Sequence, residues 1–263
     1  MVHEKALVVL SGGQDSTTCL FWAVSIWGRE NVRAITFNYG QRHAIEIDAA
    51  AKIASMANVV WELISLPAGV LTGSSPLTDA NEELERYVDA EQMEQVIGER
   101  REATFVPMRN ALFLTIAANR AEVLGITNIV LGVCQMDNAN YDDCRQVFLR
   151  AAERYVNTAL GHDHRGTPAI RLIAPLLMLS KADTVRMARE LPGAWEALAY
   201  SHTSYDGKYP PTDMNHANVL RAQGFKEAGL PDPLVLRAYD DGLMALPLTA
   251  NYSAGKVLEN GYS

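Results

Sequence analysis

The sequence predicts an α/β protein: a doubly wound, mostly parallel sheet with a small helical region at its C-terminal end. Two observations lead there. The apolar run Ala6-Leu7-Val8-Val9-Leu10 meets the polar turn Ser11-Gly12-Gly13-Gln14-Asp15-Ser16, and a largely apolar stretch, residues 17–24, follows at once. That order is a buried strand, a tight turn and a packed helix. The rest of the first half keeps alternating strand-like and helix-like segments, as a parallel sheet with crossover helices requires.

The elements follow in order. Residues 32–37 are rich in β-branched and aromatic side chains and read as a second strand. Residues 44–57 have the spacing of an amphipathic helix, and 59–66 read as a third strand. Residues 109–124 form a long helix stopped by Gly125. A buried strand at 128–133 and a helix at 143–160 come next. Residues 161–168 read as a polar loop carrying His162, His164 and Arg165. Between the third strand and the long helix the rhythm breaks. Residues 66–102 begin with Gly, Ser and Pro and turn acidic and helical, as expected of a mobile insertion or lid. The expected organisation is a nucleotide-binding domain at 1–193, a helical C-terminal region at 194–245 and an extra tail at 246–263.

Composition sets bounds. A chain of 263 residues that is 48% hydrophobic can bury a large core. A net charge of −8 argues against a general nucleic-acid-binding surface, yet allows a local basic pocket for phosphate. Cys19, Cys134 and Cys144 are few and irregularly spaced, which predicts a reducing compartment and no disulfide framework. With no charged-then-apolar leader and no apolar run near 20 residues, the expectation is a soluble cytoplasmic protein with no membrane partner.

The first turn offers a site for an anion. A helix start presents unpaired N–H groups and the positive end of a dipole. Gly12 and Gly13 let the backbone approach the anion, Ser11 and Ser16 can donate hydroxyls, and Asp15 can cap the helix. The loop lacks the Gly-Lys-Ser/Thr of a Walker A motif and the glycine spacing of a dinucleotide fingerprint. Its pattern, S-G-G-x-D-S, resembles the PP-loop of ATP pyrophosphatases, which split ATP between its α and β phosphates. That resemblance implies a Rossmann-like fold, ATP and Mg²⁺.

Further segments resemble one family. They are Tyr39-Gly40-Gln41-Arg42-His43, Val106-Pro107-Met108-Arg109-Asn110, Tyr141-Asp142-Asp143-Cys144-Arg145, Leu179-Ser180-Lys181-Ala182-Asp183, and Gly224-Phe225 before Gly229-Leu230-Pro231-Asp232-Pro233. In this order, over about residues 5–240, the chain resembles the 7-cyano-7-deazaguanine synthase (QueC) family. The resemblance implies an ATP-dependent carbon–nitrogen ligase. The carboxylate of 7-carboxy-7-deazaguanine is adenylated, ammonia displaces AMP to give the amide, and a second ATP drives formation of the nitrile. A carboxylate is a poor electrophile, and the mixed anhydride gives it AMP as leaving group. The enzyme must hold two anions together and keep water from the anhydride.

Residue roles follow from that implication. Ser11, Gly12, Gly13, Asp15 and Ser16 cradle pyrophosphate. Lys181, next to Ser180 at a helix start, supplies a cation for developing negative charge, its alternative being a surface lysine. Arg109 and Asn110 hold the substrate carboxylate or ATP; an arginine there could equally be an ordinary cap or ion pair. Tyr39, Gln41, Arg42 and His43 lie beyond a strand end, where a site or a simple turn is expected. The deazaguanine base needs acceptors for its N1–H and amine, and Asp143 and Arg145 are the candidates, with Asp137 and Tyr141 nearby. An Asp at a helix start is otherwise an N-cap. Cys144 reads as packing.

The chain departs from the family at one place. Members carry a structural zinc held by four cysteines; flanking residues put Ser204, Thr212, Asn215 and Asn218 at those positions. None suits zinc, which favours thiolate or imidazole, so zinc is not expected. Hydrogen bonds and packing near Tyr205, Tyr209, Pro210 and Pro211 are expected in its place. His202, Asp206, Asp213 and His216 offer another metal set on paper, but scattered His and Asp in a polar loop are usually solvated. The departure keeps other readings open. The activated deazaguanine could pass to an amine of a protein partner, such as an N-terminus, in a bacterial antiviral system. The fold could also serve a tRNA-modifying enzyme, or a non-catalytic deazaguanine or nucleotide sensor. The family resemblance further implies a homodimer.

Overall fold

The computed structural model describes residues 4–41, 45–71, 73, 75–79, 81–136, 140–167 and 169–260. Five strands form one sheet: β1 (Ala6–Val9), β2 (Val32–Asn38), β3 (Val60–Ser65), β4 (Asn128–Leu131) and β5 (Arg171–Ile173). Their order is β3-β2-β1-β4-β5, and every pairing is parallel. Val8 of β1 stands between Ala34 of β2 and Val130 of β4. The chain winds outward from β1 in both directions, so a crevice opens at the carboxyl ends of β1 and β4.

Helices cover both faces, which is why the central strands β1 and β4 are buried almost throughout. On one face Ala6 and Val8 pack with α1 (Gln14–Trp27), α2 (Ile45–Ala57), α7 (Lys181–Glu190), α8 (Ala194–Leu198) and Phe225 of α9 (His216–Ala228). On the other, Leu7, Ile35 and Ile129 pack with α4 (Arg109–Leu124) and α5 (Gln146–Leu160). Residues 194–228 thus contribute to the same core as the sheet. No helix among the described residues is long and apolar enough to cross a membrane.

Three expected elements differ. The strand expected at 128–133 stops at Leu131, because Gly132 passes directly over α1. A Cβ at Gly132 would lie 2.8 Å from the Ser16 nitrogen. The helix expected at 143–160 is divided: Asp142–Cys144 make a 3-10 turn, Arg145 is extended, and α5 begins at Gln146. Asp143 is therefore not the N-cap of α5. The loop expected at 161–168 contains a one-turn helix, α6 (His162–Arg165), set between Gly161 and Gly166, both with positive φ.

The acidic insertion holds α3 (Ala90–Ile97), capped by Asp89, whose carboxylate accepts from the Gln92 N–H at 2.8 Å. Met93 and Ile97 pack with Tyr87 and Val219 of α9, and the Tyr87 N–H donates to the Met214 carbonyl at 2.7 Å. The insertion is docked on the C-terminal helices. The tail adds a 3-10 turn (Ala250–Tyr252) and α11 (Ala254–Asn260) behind α10 (Pro233–Asp240). Its ties include the Asp232 N–H to the Tyr252 hydroxyl at 3.2 Å, the Asn251 amide to the Leu230 carbonyl at 3.0 Å and the Trp195 indole N–H to the Asn260 carbonyl at 3.5 Å.

One buried ion pair links these helices to the front of the sheet. Arg221 of α9 makes a two-point contact with Asp232, at 2.6 and 2.8 Å, and donates to Ser201 and Thr203 hydroxyls at 2.8 Å each. Both partners are nearly inaccessible to solvent. Next to Ser201, the His202 N–H donates to the Gly12 carbonyl at 2.8 Å. Arg221 thereby holds the segment that backs the Ser11–Ser16 turn.

Candidate active site

A cavity of about 340 Å³ lies at the carboxyl ends of β1, β2 and β4. Its two ends differ in chemistry. One end is lined by Ser11, Gly13, Asp15, Ser16 and Lys181, and the other by Tyr39, Gln41, Arg109, Asn110, Tyr141, Asp143 and Arg145.

At the first end the turn is held by its own hydroxyls. Ser16 donates to the Gly13 carbonyl at 3.1 Å and accepts the Ser11 N–H at 3.2 Å, while the two hydroxyls lie 3.0 Å apart. Since the single Ser16 proton is directed to Gly13, the Ser11 hydroxyl donates to Ser16. Both serines shape the loop here. Gly13 is the N-cap of α1 and makes no side-chain capping bond, so Asp15 does not cap the helix. Its carboxylate instead receives the Lys181 ammonium at 2.8 Å, with the two side chains only 22% and 10% exposed. Lys181 comes from the first turn of α7, and its stem runs against α9 so closely that a Cβ at Gly224 would sit 2.4 Å from Lys181 Cγ.

Two expected phosphate residues are placed differently. Gly12 has φ +90° and turns its Cα toward α2, where a Cβ would stand 2.3 Å from the Glu46 carbonyl oxygen. Its role is to let the loop and α2 touch. Ser180 caps α7, accepting from the Asp183 N–H at 3.1 Å, and is absent from the cavity wall.

The second end is an aromatic box around one guanidinium. Phe37 stacks on Phe113 with ring centroids 4.2 Å apart, and Tyr39 packs on the same ring at 5.4 Å. Arg109 reaches toward the Tyr39 hydroxyl at 3.4 Å. The Tyr141 hydroxyl is 2.9 Å from Glu102 and 2.6 Å from the Thr104 hydroxyl, a buried network. Gln41 folds back on its own turn, accepting from the Tyr39 N–H at 3.0 Å. Burial lifts the Asp143 carboxyl above the usual carboxylate range, and Arg109 partly opposes this. Arg145 lies 3.9 Å from Asp142 and is largely exposed at the rim. Arg42, His43 and Asp137 lie outside the described residues.

Three wall residues were not read as such from the sequence: Glu46 was missed, Tyr205 was read as packing and His202 as a possible metal ligand. Glu102, which is not on the wall but accepts from the Tyr141 hydroxyl, was missed as well. Glu46 stands in the first turn of the helix that follows Tyr39–Gln41, so its nearness was available from the same crossover rule. Glu102 ends the acidic insertion, where a carboxylate looks like one more solvated charge, yet it is 2% exposed.

Ser204, Asn215 and Asn218 converge on one carboxylate. The Ser204 hydroxyl lies 2.5 Å from Asp213, and the side-chain amides of Asn215 and Asn218 both donate to Asp213. Asn215 also caps α9 through the Asn218 N–H at 3.1 Å. A hydroxyl and two amides around a carboxylate do not fit zinc, so no step is routed through that metal. Among the described residues no group of three or more His, Cys, Asp or Glu is placed to hold a metal ion. The Asp213→Ala variant should lose about 1–3 kcal/mol, since its donors are left without their acceptor. A thermal melt that moves by less than roughly 2 °C would contradict this role for Asp213.

The family profile described as queuosine biosynthesis protein QueC matches residues 5–229. The chain belongs to the QueC family. It is 50% identical to the 7-cyano-7-deazaguanine synthase of Laribacter hongkongensis over 89% of this chain and 95% of that protein. It is 48% identical to the protein of that name from Chromobacterium violaceum, over 89% of this chain and 94% of the other. Among solved structures it is similar to the U34-tRNA thiolase NcsA of Methanococcus maripaludis. That likeness has 13% identity and a TM-score of 0.42, and covers 99% of this chain and 78% of that one. This QueC-family cavity joins a polar turn at the start of α1, faced by Lys181 of α7, to an aromatic box with a guanidinium.

Proposed function

We propose that the protein adenylates the carboxylate of 7-carboxy-7-deazaguanine with ATP, releasing pyrophosphate, and passes the activated acyl group to ammonia, giving the amide and then the nitrile. The observation that supports this reading most directly is the single cavity with two ends. The α1 start and Lys181 face one end, and Arg109, Asp143 and the aromatic box face the other. Gly13–Ser16 and Lys181 would hold the phosphates of ATP, and Asp15 would be the carboxylate available to its Mg²⁺. Mg²⁺ would supply charge neutralisation on the leaving pyrophosphate. Lys181 stabilises that same charge from the protein side. The planar base stacks against Phe113 and Tyr39, Asp143 accepts from its N–H groups, and Arg109 orients its carboxylate toward the α phosphate.

The test is product identification by mass spectrometry. The protein is incubated with ATP, Mg²⁺ and 7-carboxy-7-deazaguanine, with and without ¹⁵N-ammonium. Nitrile carrying ¹⁵N, with AMP and pyrophosphate, is expected. AMP formed without amide or nitrile would overturn the assignment of ammonia as acceptor and direct the search to a protein amine. No AMP would overturn adenylation itself.

A further inference from the structure

We propose that Glu46 is the catalytic base of the acyl-transfer step, accepting the proton that the attacking amine sheds. The inference rests on the adenylation reading above and concerns the acyl-transfer half of that reaction.

The geometry is specific. Glu46 sits in the first turn of α2, on the cavity wall. Its main chain is pressed onto the phosphate loop: the position of a Gly12 Cβ would be 2.3 Å from the Glu46 carbonyl oxygen and 3.0 Å from the Ala50 nitrogen. The first turn of α2 therefore cannot slide relative to the loop that holds the phosphates. Its carboxylate lies close enough to Arg109 of α4, to Tyr39, after β2, and to Tyr205, from the segment before α9, to interact with all three electrostatically. Arg109 is the charged group opposing burial of Glu46, and the tyrosines are neutral near pH 7 because burial pushes their hydroxyls up. Enclosure raises the Glu46 carboxyl to about 7, with Arg109 acting against the rise. A carboxylate with that affinity can take a proton at working pH and return it to water.

The step balances. The nitrogen lone pair forms the C–N bond at the acyl carbon. One N–H proton passes to a Glu46 carboxylate oxygen. The C–O bond to AMP breaks, AMP keeps the electron pair, and the product is the neutral amide. Other carboxylates on the wall have other partners: Asp15 is bound by Lys181, and Asp143 is the proposed acceptor for the base.

The experiment compares two reactions in the wild type and in Glu46→Gln and Glu46→Asp. One is 7-carboxy-7-deazaguanine-dependent exchange of labelled pyrophosphate into ATP, which needs no amine. The other is amide formation, measured across pH 6–9 at a fixed concentration of unprotonated ammonia. The wild-type amidation rate is expected to rise through an apparent pKa near 7 and then level. Glu46→Gln is expected to lower amidation about 10²-fold more than exchange and to abolish that limb. Hydroxylamine, a nucleophile that depends less on a base, should recover most of the loss. Glu46→Asp should retain the limb at a reduced rate. Equal losses in exchange and amidation, or an unchanged pH limb in Glu46→Gln, would show that Glu46 only positions Arg109 and would overturn the proposal. A wild type that shows no exchange would overturn the adenylation reading, and this inference with it.

Discussion

Replacing Lys181 with Met should lower 7-carboxy-7-deazaguanine-dependent AMP formation by about 10²–10³-fold, the usual effect of removing one preorganised group that stabilises transition-state charge. The ammonium is nine-tenths buried and sits 2.8 Å from Asp15. In the proposed reaction its removal would take away a cation and also leave a carboxylate facing the leaving pyrophosphate. The loss should fall on kcat more than on the KM for ATP, because charge on the bridging oxygen grows as the bond breaks. Methionine keeps the stem that packs on Gly224, so the fold should survive. Stopped-flow or discontinuous assay of AMP, with circular dichroism as the folding check, decides it. A folded variant retaining more than a tenth of the activity would place the cation elsewhere.

The second large effect is structural. Arg221→Met should destabilise the protein by about 3–5 kcal/mol, because it strands the Asp232 carboxylate in the interior. Asp232 also caps α10 and its partner residues anchor the Ser201–Thr203 segment, so the damage reaches the Gly12 carbonyl through His202. At roughly 2–4 °C per kcal/mol, the melting temperature should fall by about 6–20 °C. The double variant Arg221→Met, Asp232→Leu should recover part of that loss, since removing both charges of a buried pair costs far less than removing one. A shift under about 3 °C in the single variant would mean that water reaches this pair.

Much of the site was legible because the chemistry sits at element ends, and element ends have sequence signatures. The run 6–10 followed by two glycines marked the turn that lines one end of the cavity, and the helix from Arg109 to Leu124 begins and ends where its sequence indicates. The sheet order could not be read so directly, since periodicity reports which face is buried and not which strand is the neighbour. The misplacements have local causes. Ser180 looked like a ligand next to Lys181, but a serine before Lys-Ala-Asp satisfies the Asp183 N–H more readily than a phosphate. Asp15 looked like a cap, but its long-range partner, 166 residues away, is invisible in local sequence. Asp213 went unnoticed as a hub because its donors arrive from both sides of a loop, and only the three-dimensional path brings Ser204, Asn215 and Asn218 onto one carboxylate. Glu46 was hidden by composition: an acidic residue in a helix's first turn normally faces water and favours the dipole.

In the proposed reaction a substrate carboxylate oxygen attacks the α phosphate of ATP. The most direct measurement is oxygen transfer. The protein is turned over with 7-carboxy-7-deazaguanine carrying ¹⁸O in both carboxylate oxygens, in unlabelled water, and the AMP is analysed by mass spectrometry. One ¹⁸O per AMP in the first turnover is the predicted result, since the oxygen that bridged carbon and phosphorus leaves with AMP. AMP without label, or ADP in place of AMP, would contradict adenylation of the carboxylate.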